Sequence, residues 1–144
     1  MQYIKRDLEH VVLQASEEYP AVIITGSRQI GKTTMLQKLM KGTTRNYVTL
    51  DDLTERALAQ NDPEMFLHLH KPPILIDEVQ YAPQLFTYIK IHADRNQRPG
   101  DFWMTGSQSF KLMKLAGESL VGRACILHMC TMSQNELYGN GENL

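Results

Sequence analysis

Nine consecutive residues carry the first chemistry in this chain: Gly26-Ser27-Arg28-Gln29-Ile30-Gly31-Lys32-Thr33, with Thr34 behind them. The spacing G-x-x-x-x-G-K-T answers to a triphosphate. Its two glycines allow a tight turn that points successive backbone N–H groups inward, and the helix that follows would present its positive end to the same anion. Lys32 would reach the β- and γ-phosphates, and the hydroxyl of Thr33 would sit on a magnesium ion. At average residue usage the pattern arises by accident in roughly one chain of this length in a few hundred. Its seat between an apolar run and a helical one makes accident rarer still.

A loop of this kind grips a nucleotide without breaking it. The run Ile74-Leu75-Ile76-Asp77-Glu78 supplies what is missing. In a parallel sheet whose first strand feeds the loop, the adjacent strand would deliver its two acids to the same crevice. Asp77 would hold the hydrated magnesium, and Glu78 would polarise the attacking water as general base. Unpaired carboxylates are costly to bury, so the alternative is that both acids cap a helix in solvent. Thr105-Gly106-Ser107-Gln108 closes a later strand on the same edge. A short polar side chain there could bond the γ-phosphate or hold the lytic water, Ser107 first, then Thr105 and Gln108; alternatively the segment is a turn capped by Ser107 or Ser109.

These groups need a scaffold, and the apolar pattern describes one. Ile4, Leu8, Val11, Val12 and Ala15 recur at helical spacing, and Pro20 closes that helix. Strands are expected at Ala21 to Thr25, at Tyr47 to Leu50, in the run at 72–78 that ends in the two acids, at Asp101 to Thr105 and at about Arg123 to Met129. Between them fall helices from Thr33 to Met40 with Gly42 as cap, from a capping box at Asp52 and Glu55 to Gln60, from Asp62-Pro63, from Pro83 to Ala93, and around Phe110 to Leu115. Strands alternating with helices predict an α/β fold, a parallel sheet covered on both faces.

Composition narrows the setting. The chain has 144 residues, 42% of them hydrophobic and 22% charged, which suits one globular domain. No apolar run reaches the ~20 residues of a membrane span and no secretory leader is apparent, so the expected location is cytoplasmic, without a membrane. A net charge of −1 gives no electrostatic support for nucleic acid as a partner. Cys125 and Cys130 fall five apart in one apolar segment, on opposite faces if it is a strand, and are expected as buried thiols. Trp103 and Met104 are expected in the core. Arg28 either touches phosphate or faces water. Asp51 and Asp52 approach the metal or, in preference, cap a helix; His68 and His70 are poorly spaced for a metal.

Together the loop at 26–33, ILIDE at 74–78, TGSQ at 105–108 and LVGR at 120–123 resemble the core of the AAA-superfamily ATPases. The resemblance is closest to the N-terminal ATPase module of prokaryotic two-domain ATP-binding proteins, and it covers about residues 1–135. It implies a P-loop NTPase three-layer sandwich with five parallel strands, ATP and magnesium as ligands, and ATP hydrolysis coupled to a further domain. Adenine is implied by the resemblance, and the guanine-reading Asn/Thr-Lys-x-Asp motif is absent. Arg123, at the start of the last strand, lies on the opposite sheet edge from Lys32 and could reach only a neighbour's phosphates. In AAA proteins an arginine just before the fifth strand often acts in trans, which would imply a homo-oligomer; the alternative, preferred on the residues alone, is a solvated arginine flanking a glycine turn.

Ser133 and Glu136 have capping-box spacing, but Gly139-Asn140-Gly141 follows at once. Residues 136–144 are thus expected to be the truncated start of a helical lid or C-terminal domain, with the effector missing and turnover weak. Two other activities share the loop. A small-molecule kinase would need a lid, which Arg95 and Arg98 could supply, and a non-hydrolysing module would bind nucleotide only to assemble with a partner.

Overall fold

The structure is a computed structural model of the 144-residue chain and describes residues 2–26, 31–107 and 109–129, with the side chains of residues 2–6 and 110 outside that description. The expectations for Ser27, Arg28, Gln29, Ile30, Gln108, Cys130, Ser133 and Glu136 lie outside the described residues. In chain order the elements are α1 (Gln2–Glu18), β1 (Ala21–Thr25), α2 (Lys32–Met40), β2 (Asn46–Thr49), α3 (Leu53–Asn61), α4 (Pro63–Leu69), β3 (Ile74–Asp77), α5 (Leu85–Asn96), β4 (Phe102–Gly106), α6 (Phe110–Ser119) and β5 (Ala124–His128). A single 3₁₀ turn, Val79–Tyr81, follows β3. Each predicted element is present with ends shifted by a few residues; the helix expected from Pro83 begins at Leu85, after a turn.

All strand pairs are parallel and the sheet order is β2-β3-β4-β1-β5. This corrects one expectation: the acid-bearing strand β3 is not adjacent to β1, because β4 lies between them. Burial explains the order. Strands β1, β3 and β4 are buried along their whole length and so must be internal, whereas β2 exposes Asn46 and Tyr47 and β5 is only half-buried. Strands covered on both faces read as continuous apolar runs, as AVIIT and ILID do.

Side-chain alternation sorts the sheet into two cores. Ala21, Ile23, Ile74, Ile76, Phe102 and Met104 pack under α3 to α6 with Ala59, Phe66, Phe86 and Leu112. Val22, Ile24, Leu75 and Trp103 face the other way, under Val12 and Ala15 of α1 and Met35 and Leu36 of α2. Each fully buried aliphatic or aromatic side chain stabilises the fold by about 1.5–3 kcal/mol. Trp103 also donates its indole N–H to Ser16 Oγ at 2.9 Å, which ties α1 to β4. Cys125, expected to be buried, is only half-buried because β5 is an edge strand; burial still pushes its thiol up, with Glu18 adding to the shift.

The helix starts follow local chemistry. Asp52 accepts from the N–H groups of Thr54 and Glu55, and Asp62 accepts from Met65 N with Pro63 in the first turn. The capping box is only half made. Glu55 Oε1 bonds His70 Nε2 at 2.8 Å, fastening α3 to the end of α4. Among the described residues, no helix is long and apolar enough to cross a membrane.

Candidate active site

The same alternation that sorts the cores also aims the polar groups. Leu75 faces α2, so Asp77, two residues on, faces the N-terminus of α2 as well, and Tyr47, Thr49 and Thr105 share that side by register. Four hydroxyls converge on the Asp77 carboxylate. Thr33 and Thr105 each donate to Oδ1 at 2.5 Å, and Tyr47 and Thr49 each donate to Oδ2 at 3.2 Å. A carboxylate has about four lone-pair positions, so this set satisfies a side chain that is only 6% exposed. Tyr47 responds to its surroundings: burial, followed by the negative charge of Asp77, pushes its phenol up to about 12.

Thr105 joins the two acids. Its hydroxyl donates to Asp77 and accepts the backbone N–H of Glu78 at 2.9 Å, and the residue is wholly buried. Glu78 has φ 60° and ψ 50°, a left-handed conformation that a residue with a Cβ adopts only under constraint. Its Oε1 accepts from Gln80 Nε2 at 2.8 Å, and Gln80 Oε1 accepts from Ser107 N at 3.1 Å. Lys32 begins α2 behind Gly31, whose φ of 84° suits glycine, and its ammonium donates to Gly26 O at 2.8 Å while 2% exposed.

A metal would find matching donors here. Asp51, Asp77 and Glu78 each offer a carboxylate oxygen, and the three atoms all lie within 4.8 Å of one another. Hard oxygen donors suit magnesium rather than softer metals. The two neighbouring aspartates divide their roles: Asp52 caps α3, while Asp51 belongs to the acidic trio.

The structure thus gathers Gly26, Gly31, Lys32, Thr33, Asp77, Glu78, Thr105 and Ser107 at the C-terminal ends of β1, β3 and β4. Thr34 is exposed one residue farther along α2, and Ser109 is the cap of α6. Sequence reasoning did not single out Tyr47, Thr49 or Gln80. Thr49 lies opposite Asp77 in the sheet register, a relation visible only once the strand order is known. Gln80 follows the acids with no motif of its own.

Other candidates lie elsewhere. Arg123 O accepts Ala21 N at 3.0 Å, so it sits at the start of β1, opposite Lys32. Its guanidinium holds Asp94 at 2.7 and 3.2 Å, which raises the arginine and lowers the carboxyl. Arg95 and Arg98 also belong to this far edge. They line a cavity of about 380 Å³ with Pro72 and His92, and Arg98 and His92 both bond Asp101, just before β4. Helix α5 runs back toward the strand starts, so neither arginine can serve as the phosphate lid that a kinase reading would require.

Comparison with known proteins agrees with this geometry. A family profile described as an AAA domain matches residues 18–138. Uncharacterized protein Rv2008c of Mycobacterium tuberculosis and Uncharacterized protein Mb2031c of Mycobacterium bovis are each 31% identical over 133 residues, 92% of this chain. The chain spans 30% of the length of either relative. Among solved structures, the DnaC helicase loader matches with TM-score 0.53 at 18% identity, over 85% of this chain and 86% of the other. The RuvB Holliday junction branch migration motor of Thermotoga maritima matches with TM-score 0.53 at 17% identity, over 90% and 45%. These likenesses extend to the sheet and its helices. With the phosphate loop, the acid pair and a matching profile over most of its length, the chain belongs to the AAA domain family and is an AAA-type P-loop ATPase domain.

Proposed function

We propose that this domain binds ATP with magnesium, hydrolyses it, and couples its nucleotide state to a partner domain or subunit. The observation that carries the reading is the convergence of Lys32, Thr33, Asp77, Glu78 and Thr105 on one edge of the sheet. Thr33 and Asp77 would hold the magnesium, with Asp51 beside them; when bound, the ion supplies charge neutralisation and orients the terminal phosphoryl group. Lys32 would turn from the Gly26 carbonyl to the β- and γ-phosphate oxygens, exchanging a neutral acceptor for charged ones. Glu78 would take the proton of a water whose oxygen bonds the γ-phosphorus as the bond to the ADP oxygen breaks, releasing inorganic phosphate. Ser107, at the β4–α6 turn, would contact the γ-phosphate. The remaining loop positions Ser27, Arg28, Gln29, Ile30 and Thr34 would complete the cradle.

Binding and phosphate release, measured separately, test these roles. Lys32→Ala should abolish nucleotide binding, and Glu78→Gln should keep binding and lose phosphate release. Turnover by Glu78→Gln equal to the parent would remove Glu78 from its role. For the proposed homo-oligomer, Arg123 would leave Asp94 to reach a neighbour's nucleotide. Turnover per molecule that rises with protein concentration, and stops rising in Arg123→Ala, supports this; strict proportionality to concentration contradicts it.

A further inference from the structure

Between the proposed base and the β4–α6 turn stands Gln80, whose amide is read unambiguously by its partners. Glu78 Oε1 is a carboxylate oxygen and can only accept, so the group facing it at 2.8 Å must be the NH₂ end. Ser107 N–H can only donate, so the group facing it at 3.1 Å must be the carbonyl end. Turning the amide over would set acceptor against acceptor and donor against donor at once. The spacing around it is equally close. A Cβ on Gly106 would come 3.4 Å from Gln80 Oε1, 3.5 Å from Val79 Cγ1 and 2.7 Å from Leu112 Cδ2.

We propose that Gln80 is a positioning residue that holds the Glu78 carboxylate in its productive direction and links that direction to the Ser107 backbone. The link deepens the hydrolytic reading above and rests on it. Glu78 is anchored at its own N–H by Thr105 and sits in a left-handed turn, so its backbone is set while its carboxylate still has rotamers to choose among. The Gln80 amide holds one oxygen of that carboxylate in a single direction. Ser107 is the residue that would meet the γ-phosphate, and a displacement of its N–H pulls on the same amide that holds the base. The general base is thereby aligned according to what occupies the β4–α6 turn, through two hydrogen bonds and one side chain.

Two substitutions separate the two ends of the amide. Gln80→Glu keeps an acceptor for Ser107 N–H and replaces the donor to Glu78 with a second carboxylate, which repels the base or shares its proton; Gln80→Leu loses both bonds. Loss of a hydrogen bond to a charged group in an aligned site predicts a fall in kcat of about ten-fold or more for each variant. In Gln80→Leu, nucleotide affinity read by direct titration should stay within about two-fold, because the substitution adds no charge beside the acidic trio. Hydrogen exchange at the Ser107 amide should remain slow in Gln80→Glu and become fast in Gln80→Leu. In a Glu78→Gln background, Gln80→Glu should have no further effect on the residual rate, since the positioning acts only through Glu78.

Full activity in Gln80→Glu, or an additional loss in the Glu78→Gln background, overturns the proposal while leaving the hydrolytic reading intact. So does Ser107 exchange that does not differ between the two variants. Absence of phosphate release from the unaltered protein and from concentrated samples alike overturns both.

Discussion

Thr105→Val tests how far the site also holds the fold together. Valine has nearly the shape of threonine, so the substitution removes one hydroxyl from a wholly buried position and little else. Two bonds are lost. The backbone N–H of Glu78 loses its acceptor, and an unsatisfied buried N–H costs about 1–3 kcal/mol. Asp77 loses one of its four donors, and a hydrogen bond to a charged group is worth about 1.5–3 kcal/mol. The sum, about 4 kcal/mol, corresponds to a drop in Tm of about 12 °C for a domain of this size. Thr105→Ser keeps both bonds and removes one methyl group, which costs about 1 kcal/mol and about 3 °C. Urea unfolding of the three proteins at a common m-value measures the differences. Valine and serine variants of equal stability would show that the hydroxyl bonds contribute nothing net, and would refute the reasoning.

Three further outcomes follow from particular geometries. Glu78→Gly relieves a left-handed backbone and should be about 1 kcal/mol more stable than Glu78→Ala, which loses the same side-chain bond to Gln80 and keeps the strain, while phosphate release is lost in both, measured on the same preparations by urea unfolding and phosphate assay. Gly106→Ala forces a Cβ to within 2.7 Å of Leu112 Cδ2 and should cost about 1–3 kcal/mol through displacement of α6, seen in the unfolding midpoint. Tyr47 has a folded pKa of about 12 against an ordinary 10, so the fold favours the neutral phenol. Its contribution to stability is whole below pH 10 and is lost as pH rises to about 12. Tyr47→Phe should accordingly lose less stability than the parent across that alkaline window, and the parent's phenolate absorbance should appear late for one of its tyrosines.

What could be read beforehand was what depends on near neighbours in the chain. Gly31, Lys32 and Thr33 are adjacent in the chain at the start of α2, and the caps at Asp52 and Asp62 are bonds across two or three positions. Continuous apolar runs such as AVIIT and ILID announced the buried strands. Strand order was not legible, because the apolar runs of β1, β3 and β4 are interchangeable in pattern, and it is their burial in the assembled sheet that makes β4 the middle member. The hydroxyl set around Asp77 follows from that order, since Tyr47, Thr49 and Thr105 meet it only through pairing between strands. Ser107 stood out as a short polar residue after a glycine, yet the side chain bonded to Asp77 is that of Thr105, two residues earlier and inside the strand. The left-handed turn at Glu78 carried no glycine or asparagine to announce it; tertiary contacts impose it.

The strand order has a consequence for how the molecule comes into being. Neither neighbour of β1 is close to it in the chain: Thr25 pairs with Gly106 on one side and with His128 on the other, roughly eighty and a hundred residues later. During synthesis from the N-terminus, the loop and its lysine emerge long before any strand that can flank them. Meanwhile AVIIT waits as an unpaired apolar segment, the kind of edge on which aggregation starts. Pairing so distant in sequence is slow to form, because loop closure must precede the contacts that reward it. A nascent chain therefore displays the residues for gripping phosphate without the sheet that aims them, and nucleotide can act as a folding ligand only after β4 has been made.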